Sequence, residues 1–161
     1  RFPFVPAAMI RRFLPVLFLF AAGPLAAADF TPLDRLAAKK LLSPESHQQA
    51  TVVALWSSDC NYCKKNLKLL SSLAKSNQKL RLITVAAEPE SAQLWPMLKP
   101  YALSGPRYAY GSDNPEAIAY AIDPNWAGEL PRSYLFNGKG GKEKFSGVIN
   151  AAILEKGLAA K

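Results

Sequence analysis

Cys60 and Cys63 are the only cysteines of the 161-residue chain, and Asn61 and Tyr62 separate them. Two cysteines at this spacing can form a reversible disulfide, or they can supply two of the four ligands of a zinc ion. Zinc would require two further ligands, and the sequence contains no third cysteine and only one histidine, His47. A static disulfide that closes so short a loop removes little entropy from the unfolded chain, so it would add little stability. The leading hypothesis is therefore a redox-active dithiol.

The predicted elements around the pair indicate how the two sulfurs differ. Residues 51–56 form a continuous apolar run, which is typical of a strand buried on both faces of a sheet. Residues 60–76 carry leucines at helical spacing and lysines mostly elsewhere, which predicts an amphipathic helix. Unpaired N–H groups and the helix dipole stabilise a thiolate at a helix N-terminus. We therefore expect Cys60 to be the nucleophile and Cys63, one turn later, to be the resolving thiol.

The elements on either side of this unit predict a parallel start to the sheet. Thr31 followed by Pro32 has the pattern of a helix cap and first helical residue, so a short helix is expected to continue to residue 40. Residues 80–86 predict a second strand after the dithiol helix. A strand, helix and strand of these lengths imply a right-handed crossover with two parallel strands.

The second half of the chain predicts a kinked segment followed by a hairpin. Pro96 and Pro100 interrupt the helix formers of residues 91–101, so a kinked or split helix is expected there. The remaining predictions are a helix over residues 115–122 capped by Asn114, a strand over 132–136, a turn over 137–141, an antiparallel strand over 142–146, and a closing helix capped by Asn150. The predicted sheet is thus mixed, with a hairpin at one edge.

The N-terminal residues have the pattern of an export signal. Residues 9–12 include two arginines, residues 13–22 are apolar apart from one proline, and residues 26–28 are alanines of the kind that precede a cleavage site. Cleavage is predicted after Ala28, which leaves residues 29–161 as one domain in the oxidising periplasm. The apolar run is roughly half the ~20 residues that cross a bilayer, and an anchor that stays in the membrane and faces the periplasm is the alternative.

The charge of the chain argues against a nucleic-acid partner. The whole chain carries 20 basic and 12 acidic side chains. Residues 1–28 hold three arginines and no acids, so the mature part retains 17 basic and 12 acidic groups, a net charge of +5. The lysines are scattered over predicted helix faces, and no basic cluster is interleaved with aromatic residues. We expect a monomeric domain that does not bind nucleic acid.

Two segments and one glycine resemble the thioredoxin superfamily in type and order. They are residues 56–65 (Trp-Ser-Ser-Asp-Cys-Asn-Tyr-Cys-Lys-Lys), residues 129–138 (Glu-Leu-Pro-Arg-Ser-Tyr-Leu-Phe-Asn-Gly) and Gly147. Within that superfamily, residues 50–161 are similar to exported thiol–disulfide oxidoreductases of the TlpA/ResA/DsbE type. The resemblance implies an α/β thioredoxin fold, in which helices flank a mixed central β-sheet and a TlpA/ResA-like helical insertion is present.

The resemblance also implies roles for residues outside the dithiol. It implies a cis bond between Leu130 and Pro131 that faces the cysteines and leaves the Leu130 backbone free to pair with an extended substrate. Glu88, after the second strand, would exchange a proton with Cys63, and the alternative is a carboxylate that faces solvent. Ala54 occupies the position of the buried aspartate of thioredoxin, so that proton acceptor is not present.

The types and positions of four further residues predict their roles. Trp56 and Tyr62 are candidates for an apolar rim that contacts substrate, although core packing would explain them equally well. Asp59 is expected to raise the pKa of the adjacent Cys60 thiol and to oppose the effect of the helix terminus. His47 lies in a polar stretch and is expected to be a surface residue rather than a catalytic base.

These observations support two functions of different kinds. The first is a periplasmic thiol–disulfide oxidoreductase that reduces or exchanges disulfides of exported proteins and receives electrons from a membrane thiol donor. The resemblance implies apocytochromes as clients, and no separate cofactor is required because the two sulfurs carry both electrons. The alternative is a binding or metal-handling protein on a thioredoxin scaffold without redox turnover, and peroxidase activity is a weaker third possibility. The direction of electron flow does not follow from the sequence.

Overall fold

The computed structural model describes residues 29–159, and residues 1–28, which contain the predicted signal peptide, lie outside them. Within the described residues, six strands form one sheet in the order β1-β4-β3-β2-β5-β6. The strands are β1 Thr31–Leu33, β2 Thr51–Trp56, β3 Arg81–Pro89, β4 Arg107–Tyr110, β5 Arg132–Phe136 and β6 Lys142–Ser146. The helices are α1 Arg35–Leu41, α2 Asn61–Ser76, α3 Leu94–Leu98, α4 Pro115–Ile122 and α5 Ala151–Ala159, with two short 3-10 helices, Pro44–Ser46 and Lys99–Tyr101.

Strand β2 is the centre of the sheet, and all six of its residues are buried. It pairs parallel with β3 and antiparallel with β5, which confirms the predicted parallel pair and the mixed sheet. Side chains of a strand alternate between the two faces. Val53 and Leu55 pack in the cluster that contains buried residues of α1 and α4, whereas Val52 and Ala54 pack in the cluster that contains buried residues of α2 and α5. Helices on both faces explain why five of its six residues are apolar.

Most elements with a local sequence signal lie where they were predicted. Asn114 caps α4 by accepting the Ala117 amide at 3.1 Å, and Asn150 accepts the Ile153 amide at 2.9 Å at the start of α5. The proline-containing segment is split into α3 and a 3-10 helix. Between β3 and β5 the chain forms α3, this 3-10 helix, β4 and α4. The assignment of part of this segment as a TlpA/ResA-like insertion remains a prediction.

The predicted helix start at Thr31 and Pro32 is wrong. Thr31–Leu33 is the edge strand β1, which pairs parallel with β4, and α1 begins only at Arg35. Proline is tolerated in an edge strand because one side of that strand needs no ladder donor. The sequence reading also missed β4 itself. The paired residues of these two strands are 77 positions apart in the sequence, a separation at which local residue patterns carry no signal.

The predicted surface position of His47 is also wrong, because its side chain is buried. The ring lies against Phe136 with 3.9 Å between centroids, and Nε2 is 2.7 Å from the carbonyl oxygen of Leu41. Burial lowers the pKa of His47, the hydrogen bond to Leu41 opposes this, and the positive charges of Arg81 and Lys142 lower the pKa further. His47 is thus a core residue of the folded domain.

The lowered pKa of His47 predicts that the domain loses stability in mild acid. Unfolded histidine has a pKa of about 6.5, so below that pH the unfolded chain binds a proton that folded His47 does not. The free energy of unfolding should therefore fall as the pH decreases from 6.5 toward the native pKa, by at most about 1.4 kcal/mol per pH unit. Urea unfolding at pH 7.5 and 5.5 should show a larger loss for the wild type than for His47→Gln. Equal losses in the two proteins would contradict this assignment.

None of the helices in residues 29–159 is long and apolar enough to cross a membrane.

Candidate redox site

The two cysteines form a disulfide at the N-terminus of α2. Cys60 is the residue that caps the helix, and its sulfur accepts the Cys63 amide at 3.1 Å. Cys60 is partly exposed, whereas Cys63 is only 1% exposed. An incoming group can therefore reach the Cys60 sulfur more easily than the Cys63 sulfur. One N–H group of the first helical turn is therefore directed at the Cys60 sulfur.

The loop that leads into the dithiol is held by a carboxylate from the neighbouring strand. Trp56 pairs with Ala86 in the parallel β2–β3 register, so Ser58 and Glu88 each lie two residues beyond the same pair. The Ser58 amide donates to Glu88 Oε1 and its hydroxyl to Glu88 Oε2 at 2.9 Å. Glu88 is half-buried within β3 and has no hydrogen bond to either cysteine within residues 29–159. The geometry thus assigns Glu88 a contact with the loop, which neither of the two sequence interpretations included.

The other flank of the site carries the proline that the resemblance singled out. The Leu130–Pro131 peptide bond is cis, as that resemblance implied. The antiparallel β2–β5 register ends at Leu55 and Arg132, so Pro131 lies one residue further along, beside the end of β2. Leu130 and Cys60 pack against the same apolar cluster. In the described part of the chain, the Leu130 amide and carbonyl make no hydrogen bond.

The two aromatic residues predicted as a substrate rim have different positions. Tyr62 is 61% exposed between the two cysteines, and the Lys65 ammonium lies 5.3 Å from its ring centroid. Trp56 is 2% exposed and packs beneath the site with Cys63 and with Phe30, whose ring centroid is 6.5 Å away. Its indole N–H has no hydrogen-bond partner within residues 29–159. Tyr62 is therefore available at the surface, whereas Trp56 contributes to the core under the dithiol.

The sequence also singled out Asp59, next to Cys60, and Ala54, at the position of the buried aspartate of thioredoxin. Asp59 is exposed and accepts the Ser57 hydroxyl at 2.7 Å. Ala54 pairs with Thr84 on one side and Ser133 on the other. Both hydroxyls are buried and make no hydrogen bond in the described part of the protein. The row across the sheet therefore contains hydroxyl groups and no carboxylate.

Sequence reasoning missed a residue that connects the dithiol helix to the proline. Asn66 is buried, its Nδ2 donates to the Gly147 carbonyl at 3.0 Å, and its Oδ1 accepts the Ile149 amide at 3.0 Å. The Gly147 amide in turn donates to the Pro131 carbonyl at 2.8 Å. A chain of hydrogen bonds therefore runs from α2 to the cis proline. The available signal was an amide side chain one turn after Cys63, on the apolar face of the predicted helix.

No three His, Cys, Asp or Glu side chains of residues 29–159 form a group that could hold a metal ion.

The chain has the thioredoxin fold. No protein-family model matches it, and no curated protein matches it. It is similar to the structure of a secreted Mycobacterium tuberculosis disulfide oxidoreductase homologous to E. coli DsbE, with a TM-score of 0.56, 16% identity, and coverage of 70% of this chain and 82% of the other. A thioredoxin-related protein from Neisseria meningitidis serogroup B gives a TM-score of 0.54 at 22% identity, with coverage of 68% and 82%. StoA from Bacillus subtilis gives 0.50 at 22% identity, also with coverage of 68% and 82%.

Proposed function

We propose that the protein is a thiol–disulfide oxidoreductase that reduces or exchanges disulfides of exported proteins. The observation that carries this proposal is the Cys60–Cys63 disulfide at the start of α2, with one partly exposed and one buried cysteine. A helix N-terminus favours the thiolate form of Cys60, which is the form that attacks a disulfide. The buried sulfur is in reach of the first and is shielded from competing reactions in solution.

The reaction consists of two exchanges of sulfur bonds. In the reduced protein, the Cys60 thiolate attacks one sulfur of a substrate disulfide, forms a mixed disulfide and releases the other sulfur as a thiolate. The Cys63 thiolate then attacks the Cys60 sulfur, forms the Cys60–Cys63 disulfide and releases the second substrate thiol. The dithiol has lost two electrons and two protons, and the substrate has gained them. A second dithiol then reduces the Cys60–Cys63 disulfide by the same two exchanges in reverse and is itself oxidised to a disulfide.

The surface around Cys60 offers two kinds of contact to a substrate chain. The free amide and carbonyl of Leu130, next to Pro131, can pair with an extended peptide in the manner of an added strand. Tyr62 offers an exposed aromatic surface between the cysteines. Glu88 is proposed to take up or return the proton of the Cys63 thiol during resolution, and its hydrogen bonds to Ser58 keep the carboxylate near that loop.

The proposed location is the periplasm, where disulfides form and persist. The basic and apolar segments of residues 9–22, followed by small residues up to Ala28, support export and cleavage. The similarity to a secreted oxidoreductase is consistent with this location. The proposed clients are exported proteins, including apocytochromes, and the proposed electron source is a membrane thiol donor. The two sulfurs carry the electrons without a separate cofactor.

The reduction potential of the Cys60–Cys63 pair tests the function and its direction. We would equilibrate residues 29–161 in glutathione buffers, trap free thiols by alkylation and count them by mass, with Cys63→Ser as the control that cannot form the bond. A potential near or below about −250 mV supports a reductase, whereas about −120 to −180 mV indicates an oxidase or isomerase. If the wild type forms no disulfide in any buffer, the proposal is wrong and a binding role on the same scaffold is favoured.

A further inference from the structure

Arg132, the residue that follows the cis proline, is part of a network of charged side chains. Arg132 follows Pro131 as the first residue of β5, and its side chain is only 8% exposed. Its Nη2 donates to Asp123 Oδ2 at 2.7 Å, and its Nη1 donates to Glu129 Oε1 at 3.2 Å. Nη1 also contacts the Ser146 hydroxyl on the paired strand β6. One guanidinium therefore joins the end of α4, the segment before the proline and the edge of the sheet.

A buried guanidinium is costly unless its charge is paired and its N–H groups are bonded. Here Asp123 supplies the paired charge, and the Tyr134 hydroxyl accepts from Arg132 Nε at 3.3 Å. Burial alone would raise the pKa of Asp123, but hydrogen bonds from Lys144 and Arg132 lower that pKa to about 2. The pair between Asp123 and Arg132 is thus charged throughout the neutral range and holds Arg132 in a fixed position.

Glu129 connects the segment before the proline to the Arg132 guanidinium. Its carboxylate accepts from Arg132 and from the Ser146 hydroxyl, and its carbonyl accepts the Trp126 indole N–H at 2.9 Å. On the other side of Leu130, the Pro131 carbonyl accepts a hydrogen bond from the Gly147 amide at 2.8 Å. Leu130 is therefore a residue with a free amide and carbonyl, held between two anchored neighbours.

We infer that Glu129 and Arg132 are positioning residues for substrate binding, which hold the Leu130 backbone in the conformation that pairs with an extended substrate. This inference rests on the proposed function. Within residues 29–159, neither residue has a hydrogen bond or ion pair with Cys60 or Cys63, so the chemistry of the dithiol does not depend on them. Their contribution is to affinity for chains that are long enough to reach Leu130. Small disulfides that contact only the sulfurs gain nothing from it.

The two members of the pair differ in what they do for stability. The Glu129 side chain is 47% exposed, and an ion pair at such a position contributes little to folding. Removal of Glu129 leaves the buried pair of Arg132 and Asp123 intact. A substitution at Glu129 therefore separates the positioning of Leu130 from the folding of the domain, which a substitution at Arg132 would not do.

The test compares a long and a short disulfide substrate in the reduced protein. We would mix wild type and Glu129→Ala with a ten-residue extended peptide that carries a mixed disulfide with glutathione, and separately with hydroxyethyl disulfide. For the peptide, we expect the half-saturating concentration to rise roughly tenfold, as loss of about one hydrogen bond gives, with the limiting rate within about twofold. The rate with hydroxyethyl disulfide and the reduction potential should not change.

Two variants separate positioning from a general effect on structure. Glu129→Gln keeps an acceptor for Arg132 and Ser146 and should restore most of the peptide affinity. Glu143→Ala removes an exposed carboxylate of β6 that has no hydrogen bond or ion pair within residues 29–159, and should leave peptide affinity unchanged. The inference is overturned if Glu129→Ala binds the peptide like the wild type, or if Glu143→Ala weakens binding equally. A wild type that reduces neither substrate overturns the proposed function, and the inference with it.

Discussion

Cys60→Ser is expected to abolish reduction of both peptide and small disulfides. A serine hydroxyl remains protonated at neutral pH, whereas Cys60 is the accessible sulfur at the end of α2 where a thiolate is stabilised. We expect the second-order rate to fall by at least about a thousandfold, as the loss of a catalytic nucleophile does in other enzymes. The measurement is the rate of thiol release from hydroxyethyl disulfide by the fully reduced variant.

Cys63→Ser is the companion variant, and it should react once and then stop. Cys60 still forms the mixed disulfide, but no second thiolate is present to release the substrate, so the mixed disulfide accumulates. Non-reducing electrophoresis and mass spectrometry should detect one substrate chain attached to Cys60. In cells, the trapped chains would identify the clients. The roles are reversed if Cys60→Ser accumulates the mixed disulfide and Cys63→Ser attacks no substrate.

The double variant Cys60→Ser, Cys63→Ser distinguishes redox turnover from a binding role. Buried Cys63 packs in the apolar cluster beneath the site, and serine at that position is small enough to leave the fold in place. Circular dichroism should confirm folding before any assay is interpreted. If the double variant retains full function in cells, the redox proposal is wrong, and the thioredoxin scaffold acts as a binding module.

The elements that were predictable are those whose signals are local. The run of five apolar residues in β2, the caps at Asn114 and Asn150, and the glycine-rich turn before β6 each determine the conformation of a few neighbouring residues. The edge strand β1 and its neighbour β4 have no such signal, because they are stabilised by pairing with strands that are distant in the sequence. His47 lies in a polar stretch and yet is buried, because its ring packs against Phe136, which is distant in the sequence, and bonds to the Leu41 carbonyl at the end of α1.

The candidate site also has a part that could be predicted from local sequence and a part that could not. The positions of the two cysteines follow from a strand that ends at Trp56 and a helix that begins beside Cys60. The partners of the polar side chains do not follow from local sequence, since Glu88 reaches Ser58 across 30 residues and Asn66 reaches Gly147 across 81. Residue type on a buried face was the only available signal. The sequence predicted the reactive groups, and the structure was needed to find the groups that hold them in place.

The chain of hydrogen bonds through Asn66 gives the second large effect that we expect. Asn66→Ala removes two hydrogen bonds and leaves the Gly147 carbonyl and the Ile149 amide without their partner. Loss of such bonds together with unsatisfied buried groups should lower the free energy of unfolding by about 2–4 kcal/mol. Urea unfolding of the oxidised proteins measures this, with Lys68→Ala on the exposed face of α2 as the control, expected to stay within about 0.5 kcal/mol of the wild type.

Asn66→Ala should also weaken exchange with peptide disulfides at temperatures where the variant is fully folded. The Gly147 amide holds the Pro131 carbonyl, and Asn66 holds Gly147, so without Asn66 the proline segment loses its connection to the helix that carries the cysteines. Asn66→Asp keeps the acceptor for the Ile149 amide but cannot donate to the Gly147 carbonyl. If that variant recovers part of the stability and little of the peptide exchange, the bond to Gly147 is the one that aligns the proline with the dithiol. If Asn66→Ala is less stable yet exchanges peptide disulfides at the wild-type rate, the bridge stabilises the fold and has no part in the alignment.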